Sequence, residues 1–177
     1  MIDIDLEGIE PIQRVIGKAP NEVRKVASRA INRAITSART EAARGVRGTY
    51  RIKHGDVLKT IKIVKSSPGT LHADLTSRDS PIQLIKFSVS KNKRGLRAGV
   101  KKGASKPIKS GFIINDARGG TNAFVRLTPN RVPTKGLYGP SVPQMIGNEQ
   151  IIDKVTDRTS EMLMKRMEHE ASRVLGG

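Results

Sequence analysis

The stretch from Asn21 to Arg47 reads NEVRKVASRAINRAITSARTEAARGVR. Val23, Ala27, Ala30, Ile31, Ala34, Ile35, Ala38 and Ala42 recur in steps of three and four. That spacing lays one apolar stripe along an α-helix. Arg24, Lys25, Arg29, Arg33, Arg44 and Arg47 fall on the other side. Pro20, Asn21 and Glu22 supply a fixed φ, a capping side chain and an acid for the first turn. Gly45 and Gly48 are expected to end the helix, which is roughly 40 Å long at 1.5 Å per residue. Its stripe is mostly alanine. Small side chains allow close approach, so another element is expected to lie tightly on it.

Before this helix, residues 1–19 read as an arm. Residues 2–6 alternate apolar and acidic like a short strand, and Ile9 to Ile16 read as a short helix. After it, Asp56 is expected to cap a short helix from Val57 to Ile61. From Lys62 to Thr128 the pattern turns to β. The candidate strands are Lys62–Lys65, Leu71–Thr76, Gln83–Val89, Gly111–Asn115 and Phe124–Leu127. The turn signals Ser67-Pro68-Gly69, Asp79-Ser80-Pro81 and Gly119-Gly120-Thr121-Asn122 separate them. Sequential strands with short links predict an antiparallel sheet. Ala98–Lys102 are expected to pair with Gly111–Asn115 as a hairpin with a mobile tip. Arg131 to Pro143 read as a loop. Ser141-Val142-Pro143-Gln144 has capping-box spacing and starts a short helix. A break at Gly147-Asn148 precedes a last helix, about Glu149 to Val174, with Ile152, Val155, Leu163, Met167, Ala171 and Val174 on one face. The fold class is therefore α+β in a single domain, 1–177. A long N-terminal amphipathic helix (20–48) and C-terminal helices (141–175) pack on a central antiparallel sheet (62–128). A basic hairpin or loop, 90–110, projects from that sheet.

Charge gives the first functional constraint. Lys and Arg number 33 against 16 Asp and Glu, a formal charge of +17. From Arg24 to Lys135 there are 26 bases and five acids, whereas residues 1–10 hold four acids and no base. A basic middle of this kind calls for a polyanionic partner. Its densest part, SKNKRGLRAGVKKGASKPIKS (90–110), has eight bases and no acid. Lys91, Lys93, Arg94, Arg97, Lys101, Lys102, Lys106 and Lys109 are the candidate DNA-facing residues. Lys and Arg without interleaved aromatics suit phosphate contact, not base reading, and such binding weakens steeply with salt. Arg29, Arg33, Arg44 and Arg47 on the long helix are candidate subunit-interface residues. The plainer alternative for that face is a solvated surface or pairing with an acidic neighbour.

Other classes are excluded or left without support. There is no cysteine, hence no disulfide and no thiolate metal site. No apolar run reaches bilayer length, and the acidic start lacks the form of a signal peptide, so no membrane partner is expected. His72 and Asp74 would share one strand face, but no third partner is evident; His54 and His169 read as surface residues. Gly95, Gly99 and Gly103 lack the Gly-Lys-Ser/Thr of a phosphate loop. The chain is expected to be non-enzymatic, with no metal and no cofactor. Aromatics are scarce: Phe87, Phe112, Phe124, Tyr50 and Tyr138, with no Trp. Sparse aromatics favour burial of further surface between subunits.

Taken together these segments resemble the minor tail protein Z family of tailed bacteriophages and prophages. The resemblance covers roughly residues 20–175. It rests on the order of Ala30-Ile31-Asn32-Arg33 with Ser37-Ala38, then Tyr50-Arg51-Ile52-Lys53-His54-Gly55-Asp56-Val57-Leu58, then Ser80-Pro81-Ile82-Gln83-Leu84-Ile85-Lys86-Phe87. The Lys/Arg-rich segment, Gly111-Phe112-Ile113, Gly139-Pro140-Ser141-Val142-Pro143-Gln144-Met145 and Met167-Glu168-His169-Glu170 complete it. Residues 1–10 lie outside it. The resemblance implies a virion protein of the head–tail junction, assembled in the host cytoplasm and acting in tail completion and head–tail joining. It implies a homo-oligomeric, hexameric ring around the DNA channel. Its neighbours would be the tail terminator, the tail tube or tape-measure protein, the neck proteins and the packaged DNA. The alternative function is a free, sequence-nonspecific nucleic-acid-binding protein.

Overall fold

The computed structural model describes residues 2–3, 21–93, 95–115 and 120–175. The short helix expected over Ile9–Ile16 lies outside the described residues, as does Arg94. A two-residue strand, β1 (Ile2–Asp3), stands at the start.

The long helix is α1 (Asn21–Thr49). Ala27, Ala30, Ala34, Ala38 and Ala42 are buried as the periodicity predicts, whereas Val23 is exposed and Val26 takes the inward place. The helix does not stop at its glycines. It runs through Gly45 and Gly48, because Gly45 faces the last helix. A Cβ there would sit 3.0 Å from Ile151 Cγ2. Gly45 thus serves close approach, and Tyr50 ends the helix by bridging to Lys101.

A short helix, α2 (His54–Thr60), follows; Asp56 does not cap it. Lys53 occupies the cap position without a side-chain bond, and Asp56 lies in the first turn, where its negative charge is favoured by the helix dipole. β2 (Ile61–Val64) and β3 (Asp74–Ser77) pair antiparallel, with Ile63 opposite Leu75. Leu71 takes φ 49° at the end of the Ser67–Thr70 turn, so the strand starts later than the sequence suggests. β1 adds to the free edge of β3.

The strand expected over Gln83–Val89 is not formed. Leu84–Lys86 is a turn of 3₁₀ helix. Leu84 and Phe87 are both buried, and residues three apart reach one side only in a helical turn. Extended chain begins at β4 (Ser88–Asn92), which pairs with β5 (Gly95–Gly99), and β5 pairs with β6 (Lys106–Lys109). β7 (Gly111–Asn115), β8 (Thr121–Arg126) and β9 (Thr134–Gly136) make a further sheet. The β region is therefore divided into small three-stranded antiparallel sheets rather than one central sheet. The expected pairing of Ala98–Lys102 with Gly111–Asn115 is replaced by the β4–β5–β6 meander.

The helix α3 (Val142–Ile146) carries the predicted capping box: Ser141 N–H donates to Gln144 Oε1 at 2.9 Å, and Gln144 N–H to Ser141 Oγ at 3.5 Å. α4 (Glu149–Leu175) returns antiparallel along α1, with Ile151 beside Gly45 and Glu170 beside Arg29. The core gathers Ala38, Ala42, Ala43 and Val46 of α1 with Val57, Leu75, Phe87, Leu96, Ala123, Met145, Ile151 and Val155. Toward its C-terminal end α4 is less covered, and Met164 is 69% exposed. Glu170 is buried between Arg29 and Arg173 at 3.9 and 3.7 Å. Among the described residues, no helix is long and apolar enough to cross a membrane.

Candidate nucleic-acid interface

The densest basic segment forms a three-stranded antiparallel sheet, one strand more than the hairpin expected there. Along β5, Leu96 and Ala98 point inward and are buried, so Arg97 between them points outward. Register then sorts the other bases. Lys109 pairs with Gly95 and shares the outward face with Arg97. Lys91 pairs with Leu96 and Lys106 with Ala98, which sets both at the edges of the inward face. Lys93 lies in the β4–β5 turn. Lys101 and Lys102 lie beyond the far end of β5. All seven described members are exposed, and no carboxylate among the described residues forms an ion pair with any of them. Arg94 lies outside the described residues.

The far end is anchored. Lys102 N–H donates to Thr49 O at 2.9 Å, and Arg51 N–H to Val100 O at 2.9 Å. Lys101 Nζ stands 5.8 Å from the centroid of the Tyr50 ring. These bonds set Lys101, Lys102 and Arg47 around the C-terminus of α1, where the helix dipole favours cations. Part of this charge therefore has a local structural reason.

Arg51 joins the outward face without any signal in the basic segment itself. Gly99 has no side chain, and the position of its missing Cβ is 3.5 Å from Arg51 Nε. The Arg51 side chain lies across that gap. Arg51, Arg97 and Lys109 thus follow one another along β5, over roughly 13 Å at the rise of a strand. Such a row of cations suits a run of phosphates and carries no means of reading bases.

The helix face behaves differently. Arg44 pairs with Glu41, and Arg29 approaches the buried Glu170. Arg33 and Arg47 are exposed and form no ion pair with a described residue. A cleft of about 550 Å³ between α1 and α4 is lined by Glu41, Arg44, Lys154, Arg158, Glu161 and Lys165. Arg158 pairs with Glu161 at 3.0 Å across one helical turn. Acids compensate this face in part, as they do not on the β4–β6 sheet.

No catalytic arrangement emerges among the described residues. His72 Nε2 lies 2.6 Å from Asp74 Oδ1, but both side chains are largely exposed and nothing completes a relay. His54 is half-buried rather than solvated, with its Nδ1 enclosed. No group of described residues is arranged to hold a metal ion.

The family model of prophage minor tail protein Z matches residues 8–176. The chain belongs to this family. It is thus a structural protein of a bacteriophage tail, a component of the virion. No curated protein and no solved structure matches. The resemblance read from Ala30-Ile31-Asn32-Arg33 through Met167-Glu168-His169-Glu170 is that of a member, and the match extends nearer to the start than the quoted motifs do.

Proposed function

We propose that this tail protein completes the head-proximal end of the tail and joins it to the head, as a homo-oligomeric ring around the DNA channel. The observation that carries this reading is the β4–β6 sheet of a tail protein, a cluster of exposed bases with no paired acid. Bases so arranged repel one another unless a polyanion lies against them. In a tail the polyanion at hand is the genome, which passes along the axis whatever its sequence. Nonspecific phosphate contact by Arg51, Arg97, Lys109 and the lysines at both ends of the sheet is sufficient there. The ring carries six copies, with Arg33 and Arg47 facing neighbouring subunits, and it contacts the tail terminator, the tube or tape-measure protein and the neck. Apolar surface supports subunit contact: Ile113, Ile114, Leu127 and Val132 are exposed on or beside the β7–β9 sheet. The protein performs no chemistry in this role.

The test is a joining assay. Tails made without the protein are mixed with filled heads, with and without the purified chain. Joining is expected only when the chain is added. Infective particles formed equally well in its absence would overturn the proposal.

A further inference from the structure

The β4–β5 turn and the adjoining β7–β8 strands enclose a groove of about 680 Å³. Lys91 and Lys93 stand on one wall; Phe112, Arg126 and Leu127 stand on the other. Gly95 and Gly111 line it without side chains. No acid lines it. Phe112 pairs with Phe124 across the strands, with ring centroids 6.4 Å apart and planes at 28°. The Arg126 guanidinium lies 5.5 Å from the Phe112 centroid. Arg126 is exposed, so a guanidinium backed by an aromatic ring is presented to solvent opposite two lysines.

We propose that this groove binds single-stranded DNA, with an unpaired base stacked on the Arg126–Phe112 pair and its flanking phosphates held by Lys91 and Lys93. Stacking on an aromatic or guanidinium plane needs an open base face. A duplex keeps those faces inside its stack and can meet only the cations. The groove has the volume of a small-ligand cleft, which suits a nucleotide or two and not a double helix. This inference rests on the reading of the basic surface as a DNA contact, and it adds two side chains to Lys91 and Lys93 of that surface. Arg126 and Phe112 lie outside the basic segment, and the strand register alone brings them to it.

The experiment measures anisotropy of a fluorescein-labelled oligothymidylate and of a random-sequence duplex, at one salt concentration, with the full chain. Phe112→Ala and Arg126→Lys are each expected to weaken oligothymidylate binding about tenfold, with duplex binding changed less than about twofold. Arg126→Lys keeps the charge and loses only the plane, so a fold defect does not explain its loss. Phe112→Tyr is expected to bind as the parent does. Equal losses on both DNAs would reduce the effect to charge and overturn the inference. So would unchanged oligothymidylate binding, which would leave the groove to a protein neighbour. A parent chain that binds the oligothymidylate through Phe112 but ignores the duplex would instead count against the channel-lining reading alone.

Discussion

Gly95 adopts φ 137°, and a Cβ at this position would come within 2.3 Å of Ile108 O. Both facts follow from the tight passage of β5 beside β6 and the start of β7. Backbone, not a flexible side chain, is what a larger residue would strike. Gly95→Ala is therefore expected to destabilise the fold by ~2–4 kcal/mol, from strained φ and overpacking together. A urea titration followed by circular dichroism measures it, and an unchanged midpoint would contradict the described turn. Single residues were legible where their signal is local. Ser141 and Gln144 form their capping box because three residues of spacing contain the whole motif. Gly95, Arg51 and Glu170 were not legible in this way. Their roles depend on what the register, a gap at Gly99 and an antiparallel helix bring beside them.

Elements followed the same rule. α1 and α4 show in the sequence because helical periodicity repeats over many residues. β5 did not show. Its alternation, Leu96 and Ala98 in and Arg97 out, is only a few residues long and lies in a segment crowded with lysine and glycine. Composition there reads as a loop, while the buried pair and two flanking strands make it the centre of a sheet. The converse error occurred at Leu84–Phe87, where an apolar run suggests a strand but three-residue spacing of the buried side chains requires a turn. The β4–β6 sheet also carries the proposed phosphate contact. Replacing Lys101, Lys102, Lys106 and Lys109 with Gln removes charge from exposed side chains and leaves the buried Leu96 and Ala98 untouched. The slope of log affinity for duplex DNA against log salt is expected to flatten by about 0.9 for each lysine that touches a phosphate. An unchanged slope would show that those four do not.

For the whole molecule, the α+β class was readable and the division into small sheets was not. Strand order depends on long-range pairing, as when β1 joins β3 across α1, and no local pattern encodes it. The candidate site was half readable. The sequence placed the cations in one segment, but the fold sorted them onto an outward row, two edges and an anchored turn. It also added Arg51, Phe112 and Arg126 from outside. The helix arginines met acids on α1 and α4 and so present less free charge. That contrast is why the account assigns DNA to the sheet and neighbouring subunits to the helix. An image of the assembled neck at side-chain resolution tests this most directly. The expected image is a ring at the head-proximal end of the tail, with Arg51, Arg97 and Lys109 toward the lumen. A ring at the distal end, or one whose β4–β6 sheet faces away from the channel, would contradict it.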